Sequence, residues 1–167
     1  MLISNNPNTF RYSIDRFTFI HIIQFSTFYL DGLFLGVEVE TVQEVLRYQE
    51  MTHVPLAPRI VQGLINLRGQ IVTAIDLRRR LELDARSTDE LPMNVVVRTD
   101  DGAVSLLVDE IGDVVEISDE SFERPPETVT GVARDLIRGV YKLDDRLLLV
   151  LDTQRAVQVD GQTEQAN

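Results

Sequence analysis

Two histidines, His21 and His53, stand in a chain that has no cysteine. Imidazole and thiolate are the groups that most often serve as base, nucleophile or soft-metal ligand, so little is available for such chemistry. His21 falls in the uncharged run Phe17–Leu30, where a side chain satisfied within the fold is expected, and His53 precedes a connector bounded by Pro55 and Pro58. Neither has a second imidazole or a carboxylate at a metal-ligand spacing. Carboxylate pairs occur at Glu38/Glu40, Asp100/Asp101 and Asp144/Asp145. Acid–base work needs two carboxyls in a sheltered cleft with separated pKa values. These pairs sit instead in turns or on the polar faces of strands, where aspartate tolerates left-handed backbone. Gly63-x5-Gly69-Gln70 lacks the Gly-Lys-Ser/Thr ending of a phosphate loop, and Ser105 has no Gly-x-Ser-x-Gly elbow around it. Arg78-Arg79-Arg80 is the sole basic cluster. It falls in the last turn of a short helix, where cations offset the helix dipole, and that role accounts for it at this stage. The residues describe surfaces without a reactive centre: no catalytic set, no metal ligands and no cofactor.

Composition narrows the class further. The chain has 167 residues, 44% of them hydrophobic and 26% charged, the make-up of an ordinary globular domain. At this length about 70% of the unfolded surface can be buried, so no metal or disulfide staple is needed. The formal net charge is −11. Residues 1–83 hold equal numbers of acidic and basic groups, so residues 84–167 carry the whole imbalance. That sign repels phosphate backbones and argues against nucleic acid as a partner. No apolar run reaches the roughly 18 residues of a membrane-spanning helix, so direct membrane insertion is not expected.

The elements that must carry these surfaces are short strands. Ile22–Leu30 and Leu33–Val39 flank Asp31-Gly32, a dipeptide suited to a tight hairpin turn. Met93–Thr99 and Ala103–Val108 flank Asp100-Asp101-Gly102 in the same manner. Gly63–Leu67 and Ile71–Ile75 surround Arg68-Gly69-Gln70, and Asp76 is placed to cap a helical turn. An internal repeat ties these together. Gly63–Leu81 aligns with Gly139–Val157 at an offset of 76 without a gap, apolar on apolar, with the turns at 68–69 and 144–145 and the capping aspartates at 76 and 152. The Asp-Gly turns repeat at an offset of 70. Each half therefore reads as about five short strands, and closure into a small barrel is how such a sheet removes its exposed edges. The expectation is an all-β fold with short helical turns, two packed five-stranded barrels from an internal duplication. Residues 22–83 form mainly the first and 93–159 mainly the second. Residues 1–21 read as a poorly ordered leader and 160–167 as a disordered tail.

Two stretches carry a resemblance. Leu35–Leu46 (LGVEVETVQEVL) and Val54–Leu81 (VPLAPRIVQGLINLRGQIVTAIDLRRRL) are similar to the CheW-type chemotaxis coupling proteins, as are Leu106–Ile117 and Ile137–Asp152 in the same order. The resemblance covers about Gln24–Val159 and implies a pair of five-stranded SH3-like barrels. It further implies a non-catalytic cytoplasmic adapter, peripherally associated with membrane-bound receptor arrays. Its partners would be the cytoplasmic helical hairpin of a chemoreceptor, held in a groove between the barrels, and the regulatory domain of a histidine autokinase. By resemblance Val42, Glu44, Gly63 and Arg68 occupy coupling positions. The motif run adds Asn66, Leu67 and Gly69, and Ser105 stands where relatives often carry glycine. Leu56 replaces a usual polar residue. An adapter in a pilus-motility or other non-flagellar pathway, and a small-ligand-binding sensor barrel, are the alternative readings.

Overall fold

The computed structural model describes residues 11–12 and 19–159. The expected leader and tail therefore fall mostly outside the described residues. Within the leader, β1 (Arg11–Tyr12) pairs antiparallel with β2 (Phe19–Ile20).

The remaining strands form two sheets. In sequence they are β3 (Ile22–Leu30), β4 (Leu33–Glu38), β5 (Val42–Leu46), β6 (Val61–Leu67), β7 (Gln70–Asp76), β8 (Met93–Thr99), β9 (Gly102–Val108), β10 (Glu110–Ser118), β11 (Phe122–Glu123), β12 (Ile137–Lys142) and β13 (Leu147–Leu151). One sheet runs β5-β8-β9-β7-β6 and the other β10-β3-β4-β13-β12-β11. Strand for strand the first five positions correspond, as a duplication requires. The division along the chain is not clean, however. Each half lends a hairpin to the other's sheet: β3–β4 joins the second and β8–β9 the first, held by the parallel pairings β4–β13 and β7–β9. The majority of each half stays in its own sheet. The lent hairpins are those at the two Asp-Gly sites.

Both sheets close through the segment that leaves their first strand. After β5 the chain runs to Thr52, whose amide and carbonyl exchange hydrogen bonds with Leu64 of β6 at 2.8 and 2.9 Å. After β10 a 3-10 turn, Asp119–Ser121, leads into β11, which pairs with β12. At each closure a glycine admits the crossing strand. A Cβ on Gly63 would lie 2.7 Å from the Thr52 carbonyl oxygen, and one on Gly139 would lie 2.6 Å from that of Glu123 and 2.2 Å from the Phe122 ring. Both glycines also follow a shift in strand register. Gly63 and Gly139 are the first residues of the aligned repeat, so the duplication preserved the closing device. We call the two sheets barrel one (β5–β9) and barrel two (β3, β4, β10–β13).

The lent hairpins explain the core. Val95, Val96 and Val97 are all fully buried, as are Leu106, Leu107 and Val108. A strand buried on both faces reads as a continuous apolar run. Val96 and Leu107 face the interior of barrel one with Ile65 and Val72. Val95, Val97, Leu106 and Val108 face the seam, where they meet Phe28, Leu30, Leu35 and Val37 of the other lent hairpin. Phe25, Tyr141 and Leu148 fill barrel two. The seam is the largest of the three apolar clusters, and each Val or Leu in it stabilises by about 1.5–3 kcal/mol.

Short helices finish each repeat. Asp76 caps α1 (Leu77–Arg80), accepting from the Arg78 and Arg79 amides, and Asp152 caps α3 (Thr153–Val157), accepting from Arg155. A further helix, α2 (Gly131–Leu136), precedes β12. One turn departs from the expected register. Asp31 and Gly32 fill the two central positions of their hairpin with φ of 49° and 77°, whereas Gly102 pairs with Thr99 and leaves Asp100-Asp101 at the centre.

Candidate functional site

The residues singled out from sequence divide into a surface group and an interior group. β6 and β7 end in a two-residue turn, Arg68-Gly69, with φ of 53° and 87°. Positive φ at both positions matches the twist of a hairpin, yet arginine is an unusual occupant, since a Cβ there is strained. Asn66 Oδ1 accepts from the Gly69 amide at 2.8 Å and steadies the turn. Arg68 then reaches across to β5, its Nη2 donating to Glu44 Oε2 at 2.8 Å. The two partners are unequally exposed: the Arg68 side chain is 83% accessible and that of Glu44 17%. The pair holds a guanidinium out to solvent with donors to spare, and as an exposed pair contributes under about 1 kcal/mol to folding. Val45, on the same strand as Glu44, and Ile71, cross-strand from Asn66, add exposed apolar surface. Val42 is half-buried against the seam core.

The others lie inside. Gly63 is at the barrel closure, and Leu67 packs in the core of barrel one. Ser105 has no accessible surface. Its hydroxyl donates to Asn94 Oδ1 at 2.9 Å, and Asn94 Nδ2 in turn donates to the Arg47 carbonyl at 3.0 Å. It is a strut between β8 and β9 that no partner can touch directly. Leu56, by contrast, is fully exposed, with φ of 62° in a turn closed by the Ala57 amide on the Val54 carbonyl. A polar residue such as asparagine suits that left-handed position better than leucine.

The arginine cluster stands in the last turn of α1, as expected, and makes long-range contacts beyond dipole compensation. Arg78 is almost buried. Its Nε and Nη2 form a fork on Asp109, the shortest contact 2.7 Å, and its Nη1 donates to the Asp84 carbonyl at 2.9 Å. Arg86 makes a second fork on the same carboxylate, at 3.0 and 2.8 Å. The Asp31 amide donates to Asp109 Oδ2 at 2.7 Å. Burial by itself would raise the Asp109 pKa. The hydrogen bonds from Arg78, the Asp31 amide and Arg86 outweigh it and hold the carboxyl below its ordinary value. Arg79 turns to Asp76 and the Arg59 carbonyl, and Arg80 donates to the carbonyls of Ala156 and Arg155 at the end of α3. The three arginines thus reach three different elements. Nothing local in the sequence signals this, because Asp109 lies 31 residues from Arg78.

Two grooves open near this network. One, of about 750 Å³, lies between barrel one and the connector 84–92. The other, of about 400 Å³, runs along the seam and is lined by Leu33, Leu35, Leu81, Leu83, Val129 and Ile137 among others. Among the described residues no group of three His, Asp or Glu side chains is placed to hold a metal ion. No helix among them is long and apolar enough to cross a membrane.

Comparison with known proteins agrees with this architecture. Residues 24–160 match the family model described as CheW-like domain. "Chemotaxis protein CheW" of Treponema pallidum is 32% identical over 136 residues, covering 79% of this chain and 80% of that protein. The protein of the same name from Bacillus subtilis is 32% identical over 126 residues, 75% of this chain and 80% of its own. Among solved structures, that of the scaffolding protein TtCheW from Thermoanaerobacter tengcongensis superposes with a TM-score of 0.76 at 28% identity, over 87% of this chain and 99% of that one. The two closed sheets are SH3-like barrels, and the chain belongs to the CheW-like domain family.

Proposed function

We propose that this protein is a non-catalytic adapter that couples chemoreceptors to a CheA-type histidine kinase in chemotaxis signalling. The observation that carries the reading is the Arg68-Gly69 turn. A strained, solvent-facing arginine is held in place by Glu44 at the end of barrel one, beside exposed Val45 and Ile71. Such a pair adds little to folding, so its arrangement serves recognition better than stability. A guanidinium so placed can still pair with a carboxylate or carbonyl of a partner.

The receptor element would be its cytoplasmic helical hairpin. The seam groove supports this, because its lining is mostly apolar and drawn from barrel two, the segment after α1, and α2, a surface that suits helix-in-groove recognition. The kinase element would be its regulatory domain. In that role the protein works in the cytoplasm, attached to membrane-bound receptor arrays through its partners and not by insertion. Glu44, Asn66, Arg68 and Gly69 form the contact surface, with Val42 linking it to the seam. Gly63, Leu67 and Ser105 support it from within.

Reconstitution tests the reading. Purified protein is added to receptor cytoplasmic fragments and kinase, and kinase activity and co-sedimentation are followed together. Receptor-dependent activation that requires the protein is the expected result. Sedimentation with neither component contradicts it.

A further inference from the structure

We propose that Asp109 is a positioning residue for coupling: its carboxylate pins the two barrels at their seam, so that the groove walls there keep one shape without Asp109 touching a partner. This rests on the adapter reading above.

The seam core is apolar and therefore non-directional; it holds the barrels in contact but fixes their mutual angle weakly. Paired guanidinium–carboxylate forks are directional, and Asp109 receives two of them. It also stands where the chain passes from β9 of barrel one to β10 of barrel two. Its donors come from separate places. Arg78 is on α1, which follows barrel one; Arg86 is on the connector; the Asp31 amide is at the lent hairpin turn of barrel two. One side chain thus ties four segments together. The repeat offers no second copy of the pin, since Gln154 of α3 aligns with Arg78. Among the described residues, the ion pairs at the seam lie on the α1 side. Both grooves border this pin. Arg78 and Arg86 line the larger one, and Leu83, next to the Arg78-bound Asp84, lines both.

The absence of cysteine makes the test direct. Spin labels are placed at Asp101→Cys in barrel one and Asp144→Cys in barrel two, both exposed turn positions. The inter-label distance distribution is then measured with Asp109 intact and as Asp109→Asn, at a temperature where circular dichroism shows both folded. The pin predicts a broader distribution with a displaced mean in Asp109→Asn. An unchanged distribution overturns it. If Asp109→Asn does not fold, Arg86→Gln removes one fork and leaves the other. It should broaden the same distribution to a lesser degree and raise amide exchange in residues 85–92; no change in either measurement overturns the proposal. Arg68→Ala serves as the control that leaves the distribution untouched. Because no partner is present, the result stands apart from whether the adapter reading holds. Receptor–kinase reconstitution with folded Asp109→Asn then reads the consequence for coupling, which should fall while Arg68 and Glu44 remain in place. Full coupling by a variant whose distribution has broadened also overturns the positioning role.

Discussion

Barrels one and two share a closing glycine, a capping aspartate and a hairpin at the same place, yet their hairpin ends differ. In barrel one Arg68 crosses to Glu44. In barrel two the aligned turn begins with Asp144, and the place of Glu44 is taken by the bulge at Gly112-Asp113 opposite Thr27. Neither carboxylate has a cation partner among the described residues. Arg146 instead folds back on Asp145, the Tyr29 hydroxyl and the face of Phe34. The duplication kept what closes a barrel and let the ends diverge. Residues that are the same in both copies are thus the fold, and those that differ are free to serve partners.

The largest effect should come from breaking what is common. Gly63→Ala or Gly139→Ala puts a methyl group against a backbone carbonyl that cannot move without opening the barrel. Each should cost about 3 kcal/mol, the upper part of the overpacking range, in a denaturant titration. Gly69→Ala, at a positive φ with open space around it, should cost only about 1 kcal/mol from backbone strain. If the two closing glycines prove as tolerant as Gly69, the argument that they define the fold is wrong.

The seam is comparable in size. Asp109→Asn leaves two nearly buried guanidiniums facing an uncharged group and should cost on the order of 3 kcal/mol. The pH dependence has a definite sign. Since the folded-state pKa of Asp109 lies below its unfolded value near 3.8, its contribution is complete above that value and disappears as pH falls through the folded pKa. Acid unfolding of the parent should therefore be steeper below pH 4 than that of Asp109→Asn. Equal slopes would show that the carboxylate is not ion-paired in solution.

What could be read from sequence follows the range of the interactions. The hairpins and caps were legible because turn dipeptides and capping aspartates act within a few residues. The repeat was legible because Gly63 and Gly139 keep their spacing from Asp76 and Asp152. The hairpin exchange was not, because a lent hairpin has the same local pattern as a retained one. Only its partner strand differs, Leu149 for Leu35 and Ser105 for Ala74. The long-range partners of the arginine cluster were hidden for the same reason. Asp76 is adjacent to α1 and suggests a dipole role, while the decisive Asp109 is far along the chain. At the candidate site the motif located the turn and its ion pair. It could not show that Ser105 is enclosed, since a hydroxyl on a strand reads as solvent-facing and its buried acceptor, Asn94, lies on another strand.

The smallest effect is expected at Leu56. Its left-handed backbone and full exposure mean that Leu56→Asn relieves strain and loses no buried contact. The variant should gain about 1 kcal/mol, which for this length raises the melting temperature by ~2–4 °C. A lower melting temperature would show that the leucine packs in solution.

The divergence between the two ends is tested most directly by a matched pair of substitutions, Arg68→Ala and Asp144→Ala, compared in melting curves and in receptor–kinase assembly. The account predicts that neither shifts stability by more than about 1 kcal/mol. Arg68→Ala should weaken assembly at least tenfold, as loss of one desolvated charge pair of ~2–5 kcal/mol implies, and Asp144→Ala should leave it unchanged. If assembly falls equally in both, or if the loss in Arg68→Ala follows its unfolded fraction, the assignment of recognition to the end of barrel one is contradicted.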